Sequence, residues 1–268
     1  MRLSLMIMWV VGCSGGGPTD DKNTADTGPG PLDSTDTGGF PSTTFDRSAQ
    51  LSGSVLDDAG APINKAQIRF CRGEACRNDS SDETGAFDFD EVHVDWHSLE
   101  VIPPLTSTGL ATAFAPVVFA TDESRTIDVV LPTLDPPTDL PPTPEEIEAG
   151  EGLFITVGID DLEEPLFLDP PSDIAGILVD PAQQVPVDLA GTVIAMWYLA
   201  PFDYRAAAGM PVRFANSWGL PEGKTYKVML GSYEDQRWLD AGSVTVSGAW
   251  LEGDASLSLT STVVLLEE

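Results

Sequence analysis

Leu51-Ser52-Gly53-Ser54-Val55-Leu56, Asp57-Asp58-Ala59-Gly60, Pro62-Ile63 and Ala66-Gln67-Ile68-Arg69-Phe70 follow one another within twenty residues. A short apolar-bearing run, an Asp/Gly turn and a strictly alternating run mark antiparallel β-strands. The pattern continues through Asp82-Glu83-Thr84-Gly85 into Ala86-Phe87-Asp88-Phe89, where Phe87 and Phe89 share one face. Further strands are expected at 98–102, 114–119 and 125–131, the last with Ile127 and Val129 alternating with polar residues. Pro116 cannot donate to a ladder, so the strand that carries it belongs at a sheet edge. No stretch here has helical periodicity, and six or seven short strands over 46–131 predict a β-sandwich.

The same residues carry a resemblance. Gly53-Ser54-Val55, Asp58-Ala59-Gly60, Pro62-Ile63, Ala66-Gln67-Ile68 and Thr84-Gly85-Ala86-Phe87 resemble the carboxypeptidase regulatory-like domain. That likeness implies a transthyretin-like, seven-stranded sandwich, classed with carbohydrate-binding-like folds and used as a non-catalytic module on exported proteins. Gly60 and Gly85 are wanted where these turns need φ > 0, which concerns fold and not function. The segment Asp90–His97 departs from the short glycine turn of that family.

Cys71 and Cys76 bracket Arg72-Gly73-Glu74-Ala75, a hairpin-sized interval. Facing residues of an antiparallel pair are close enough for a disulfide, which is the favoured reading. A two-cysteine metal site lacks the further ligands that tetrahedral zinc requires. His93 and His97 are the only histidines. Their spacing of four suits zinc on a helix, but Val94 stands where the zinc-protease motif needs Glu, and the surroundings read as strand and loop. They are taken as loop histidines titrating near neutral pH.

Six prolines between Pro132 and Pro144 define a semi-rigid linker over 132–148, in which Glu145–Glu148 is read as one helical turn. Residues 149–268 are again strand-patterned and are expected to form a second sandwich of unassigned family. Val193-Ile194-Ala195-Met196-Trp197-Tyr198-Leu199-Ala200 is apolar almost throughout, so it should be a central strand buried on both sides. Most aromatics of this half fall in strands, whereas Tyr204, Trp218 and Tyr233 fall in loops and are the candidate binding edge. Asp160-Asp161-Leu162-Glu163-Glu164 lacks the ligand spacing of a calcium loop.

At the N-terminus, Met1-Arg2 precedes a short apolar run that ends in Val10-Val11-Gly12-Cys13. About 20 apolar residues are needed to cross a bilayer, so this run reads as a signal peptide over 1–12. The last four residues resemble the lipobox of bacterial lipoproteins. The resemblance implies lipidation of Cys13, and Ser14 in place of an inner-membrane retention Asp favours the outer membrane. Residues 13–45 are mostly Gly, Pro, Ser, Thr and Asp with almost no apolar residues, which reads as a disordered tether. Asp26-Thr27-Gly28 and Asp36-Thr37-Gly38 lie in it without the apolar strands an aspartic protease needs.

With 43 acidic residues against 13 basic and a formal charge of −30, the chain repels nucleic acid. It has no Gly-x-Ser-x-Gly elbow set between a strand and a helix, no converging metal set and no paired carboxylates. The expectation is an all-β, non-catalytic envelope lipoprotein without cofactor or metal. Its partners would be the membrane, through lipid on Cys13, and a polysaccharide or envelope protein. The alternative is a structural envelope subunit with no small ligand.

Overall fold

The computed structural model describes residues 48–107, 109–163 and 171–268. The signal peptide, Cys13, the tether with its Asp-Thr-Gly repeats, and Glu164 lie outside them. The described chain is all-β, with two single 3-10 turns at Ile159–Asp161 and Pro181–Gln183. The first half holds β1 (Ala49–Asp57), β2 (Gln67–Arg72), β3 (Ala75–Ser80), β4 (Ala86–Val92), β5 (Trp96–Ile102), β6 (Ala113–Val118), β7 (Ser124–Thr126) and β8 (Val129–Leu131). Two four-stranded sheets result. In one, β1 pairs antiparallel with β4 and parallel with β7 and β8; the other runs β3-β2-β5-β6.

Local chemistry explains the turns. Asp57 accepts hydrogen bonds at Oδ1 from the backbone N–H groups of Ala59 and Ala61, and Gly60 then takes φ 79°. Asp82 repeats the device, accepting at Oδ1 from Thr84 and Ala86 ahead of Gly85 at φ 81°. The Thr84 hydroxyl and these amides hold the Asp82 carboxyl below its ordinary pKa. Gly53 has a different reason: a Cβ there would stand 1.9 Å from the Ile127 carbonyl oxygen, where β1 passes the junction of β7 and β8. β6, with Pro116 opposite Ser98, is an edge strand as its proline requires. Phe70 from one sheet stacks on Phe89 from the other at 5.2 Å, closing the sandwich core.

The second half holds β9 (Thr138–Asp139), β10 (Glu145–Gly150), β11 (Leu153–Val157), β12 (Leu162–Glu163), β13 (Asp173–Leu178), β14 (Thr192–Ala200), β15 (Arg205–Ala215), β16 (Thr225–Ser232), β17 (Arg237–Ser247), β18 (Trp250–Gly253), β19 (Ser256–Leu259) and β20 (Thr262–Glu267). They form one 12-stranded sheet whose main path runs β10-β11-β15-β18-β17-β16-β20-β14-β13-β9. The helical turn expected at Glu145–Glu148 is instead strand β10. Pairing of Glu145–Glu148 with Phe154–Val157, which turns Ile147 toward the core, outweighs the local helix preference of Glu. The C-terminal apolar run is two strands, β19 and β20, split at Thr260-Ser261.

The Pro-rich segment is stitched down along its length. Its prolines remove donors, but the N–H groups of Leu134, Asp135 and Leu140 bond to the carbonyls of Gly109, Gly176 and Ser172. Thr138 and Asp139 pair with Ile174 and Asp173.

β14 is central and buried, as its composition demands. Its residues divide between two cores: Met196 and Tyr198 pack with the first half, and Ala195, Trp197 and Leu199 with the second. β20 does the same, with Val264 and Leu266 on one side and Val263 and Leu265 on the other. The first-half cluster thus contains both Phe119 of that half and Met229, Trp238 and Leu266 of the other. Polar grips reinforce the seam. Arg125 donates to both oxygens of Asp188 at 2.7 and 3.1 Å, and the Thr262 hydroxyl donates to the Phe114 carbonyl at 2.6 Å. Gly231 is required there, because a Cβ would stand 2.8 Å from the Phe114 ring.

A sheet that supplies both cores should make them unfold together. Leu266→Ala on one face and Leu265→Ala on the other are each expected to cost about 2–5 kcal/mol. In urea unfolding followed by tryptophan fluorescence and far-UV circular dichroism, both variants should shift one shared transition. Two separable transitions would contradict the common core.

Candidate functional site

The register of the β2–β3 hairpin sets the chemistry around it. Cys71 and Cys76 face each other across the strands, with Cα atoms 4.0 Å apart, and form the disulfide. Pairing continues through Arg72 and Ala75, so the turn is Gly73-Glu74 alone, with Gly73 at φ 57°. The hairpin tip is gripped from the second half. Gln236 accepts from the Gly73 N–H at Oε1 and donates from Nε2 to the Gly73 carbonyl, at 2.5 and 2.6 Å. Tyr233 lies over the disulfide, its hydroxyl 3.4 Å from the Cys71 sulfur and 3.6 Å from that of Cys76. Its phenol is pushed above its ordinary pKa by burial, with Glu100 adding to the effect.

The three loop aromatics do not form one edge. Tyr233 is half-buried in the seam, with its ring 6.1 Å from Phe114. Trp218 is half-buried, meeting Trp197 edge-on at 5.7 Å. Tyr204 and Trp218 flank the eleven-residue β15 at its two ends. Tyr204 lines a cleft while only 7% exposed.

His93 lies in the loop between β4 and β5, as expected, but His97 does not. His97 is buried in strand β5, stacked on Phe70 at 4.4 Å and edge-on to Phe119. Its Nε2 donates to the His93 carbonyl at 2.9 Å, so the two residues meet through backbone and not as two imidazoles on an ion. Asp160 and Asp161 sit in a 3-10 turn, where Asp161 caps the Gly158 N–H at 2.7 Å, and Glu163 has moved into β12. Among the described residues no three His, Cys, Asp or Glu side chains come together as a metal would need.

The Tyr204 cleft has a volume of about 640 Å³. The Pro-rich segment, tied to β13, forms one wall with Asp135, Pro136 and Pro137. Ser172 and Asp173 at the start of β13 form another, and the turn Ala200-Pro201 with Tyr204 forms the floor. Thr260 fixes that turn. Its fully buried side chain accepts from the Tyr204 N–H at 3.0 Å and donates to the Pro201 carbonyl, while its own N–H bonds to the Tyr204 carbonyl at 2.8 Å. The Ser172 hydroxyl donates to Asp173 at 2.8 Å, orienting that carboxylate. The cleft therefore offers one aromatic, two carboxylates and a hydroxyl among prolines, which suits hydroxyl-bearing ligands and disfavours anions. Asp135, Ser172 and Asp173 carry no local motif, and the bonding of the Pro-rich segment along β13 brings them together.

No family model matches the chain, and no curated protein does. Solved structures with some likeness include a 5-hydroxyisourate hydrolase from Klebsiella pneumoniae, at 15% identity over 32% of this chain and 90% of that one, with TM-score 0.26. A Bacteroides uniformis protein, provisionally assigned to carbohydrate binding, shares 10% identity over 82% of this chain and 79% of its own, with TM-score 0.27. The Bacillus anthracis TIE protein shares 8% identity over 75% of this chain, which spans 41% of that protein, with TM-score 0.28. At such scores none of these bears on what the chain binds.

Burial pushes the His97 imidazole below its ordinary pKa, against the raising effects of the His93 carbonyl and Asp95. With the folded value below the unfolded one, this residue's contribution is fully present above about pH 6.5 and is lost as the pH falls below that through the folded value. The buried Glu100 and half-buried Asp203, both raised by desolvation, act in the opposite sense. Comparing urea midpoints of the wild type and His97→Phe from pH 7.5 to 5 cancels those carboxylates. The wild type should lose stability relative to the variant on acidification, and parallel curves would refute the assignment.

Proposed function

We propose that the chain is a non-catalytic, lipid-anchored protein of the cell envelope that binds neutral saccharide in the Tyr204 cleft. The observation that carries the ligand class is the convergence of Tyr204, Asp135, Ser172 and Asp173 on one cleft of ligand size. Carboxylates accept the hydroxyl protons of a sugar in bonds stronger than neutral ones, and the Tyr204 ring gives its apolar face a partner. The Val10-Val11-Gly12-Cys13 pattern supports the anchor, with the outer membrane favoured by Ser14. The carboxypeptidase regulatory-like resemblance of the first half supports a non-catalytic module.

A second reading, a structural envelope subunit, is favoured by one observation: Trp218 and Tyr233 are packed into the body and do not stand at an edge.

Purified full-length protein in detergent micelles, titrated with a panel of neutral oligosaccharides with and without calcium, separates the two. Saturable binding weakened about ten- to a hundred-fold by Asp135→Asn supports the cleft, since a charged hydrogen bond contributes about 1.5–3 kcal/mol. Absence of binding to the whole panel moves the function to the structural reading. For the anchor, Cys13→Ser should move the protein from the detergent phase to the aqueous phase in a phase-partition assay, and unchanged partition would refute lipidation at Cys13.

A further inference from the structure

The face of the β2–β3 hairpin opposite the disulfide has its own chemistry. Alternation places Phe70, Arg72, Ala75 and Arg77 on that face, with Arg77 directly opposite Phe70 and Arg72 opposite Ala75. The two guanidinium-bearing positions are diagonal neighbours, within reach of one small ligand. Across from them, Glu91 at the irregularity in the β1–β4 pairing, His93 just past the end of β4, and His97 on β5 complete a cavity of about 430 Å³.

Each group in this cavity is held. Arg72 donates from Nε to Asp95 at 2.8 Å. Arg77 donates from Nη1 to the Asp90 carbonyl and lies over the Phe89 ring at 5.2 Å, which orients the rest of its donor fork. Glu91 is held at φ 53°, a left-handed conformation uncommon for Glu, and is exposed at the cavity wall. His97, 3% exposed, donates from Nε2 to the His93 carbonyl. Its Nδ1 is consequently an acceptor, and it is buried with no hydrogen-bond partner among the described residues.

These features specify a ligand with two kinds of group. Guanidinium forks ask for a carboxylate, and in a chain of formal charge −30 two arginines facing one cavity make an exceptional place for an anion. Glu91 and the His97 acceptor ask for hydroxyl donors on the same molecule. Because Glu91 and Asp95 balance the two arginines, a bare multivalent anion such as phosphate is poorly matched, whereas a polyhydroxylated monocarboxylate satisfies both sets. We infer that this cavity binds the uronic-acid residue of an acidic glycan, with Arg77 and Arg72 on the carboxylate and Glu91 and His97 on ring hydroxyls. The site is separate from the acidic Tyr204 cleft and takes a sugar of opposite charge character. It shares with the proposed function only the saccharide class of ligand.

Isothermal titration of the full-length protein in detergent with trigalacturonate and trimannuronate, against the neutral galactose trimer, tests this. At least one uronate trimer should bind saturably at 50 mM salt, at least ten-fold more tightly than the neutral trimer, and more weakly at 300 mM salt. Arg77→Gln should lower that affinity at least ten-fold. Ala75→Trp, which keeps every charge and fills the cavity beside Arg72, should do the same, and thermal unfolding of both variants would verify that they fold. Asp135→Asn should leave uronate binding unchanged. No uronate binding at millimolar concentration, equal binding of the neutral trimer, or binding indifferent to both hairpin variants overturns the inference. Uronate binding lost in Asp135→Asn but kept in Ala75→Trp would place the sugar in the Tyr204 cleft, sinking this inference while leaving the saccharide reading intact.

Discussion

The alternation of side chains along β14 and β20, each facing a different core on its two sides, is the constraint on which the rest of the molecule depends. Leu265 and Leu266 are adjacent in sequence yet belong to separate hydrophobic clusters. A strand in this position can carry no polar face, which is why Val193–Ala200 is apolar almost throughout. A one-residue slip in the pairing of Met196 with Val264 would exchange the contents of both cores at once, so register here is specified from two sides. Fully burying each of these side chains contributes roughly 1.5–3 kcal/mol, more than any of the exposed ion pairs.

From that shared layer the candidate surfaces are positioned outward. The turn after β14 carries Pro201 and Tyr204, and buried Thr260, just before β20, ties it down. The Pro-rich segment reaches the same place because its remaining amides follow β13, the neighbour of β14. On the other side, the loop after β16 supplies Tyr233 and Gln236 to the disulfide hairpin. The hairpin is thereby fixed on one face and at its tip, leaving Arg72 and Arg77 a rigid support.

Features that depend on neighbouring residues were legible in the sequence. Asp57 with Gly60 and Asp82 with Gly85 announce their turns because the carboxylate and the glycine act within four residues of each other. Pro116 announces an edge because a missing donor is a property of the residue itself, and the cysteine pair announces a hairpin by its spacing. What depends on distant chain was not legible. Gly53 and Gly231 are glycines because Ile127 and Phe114 pass close by, and neither neighbour is near in sequence. Glu145–Gly150 has a helical composition that pairing with β11 overrides. Tyr204, Trp218 and Tyr233 are equivalent as loop aromatics in sequence, and only the tertiary packing separates the one that lines a cleft from the two that fill the body. The partners of Tyr204, and the gathering of Arg72, Arg77 and His97 on one cavity, follow from register, which composition does not reveal.

β1 is the first described strand, and it is an interior one, flanked by β4 on one edge and by β7 and β8 on the other. Tension applied through the chain that precedes Ala49 therefore runs along the axis of β1. Ladder hydrogen bonds lie across the strand, so such a pull loads them in shear, many at a time, instead of peeling them singly as it would at a frayed edge. Phe87 and Phe89 on β4, with the side chains of β1 itself, bear the same load within the core. Force entering at Ala49 is thus met by the ladders of β4, β7 and β8 together.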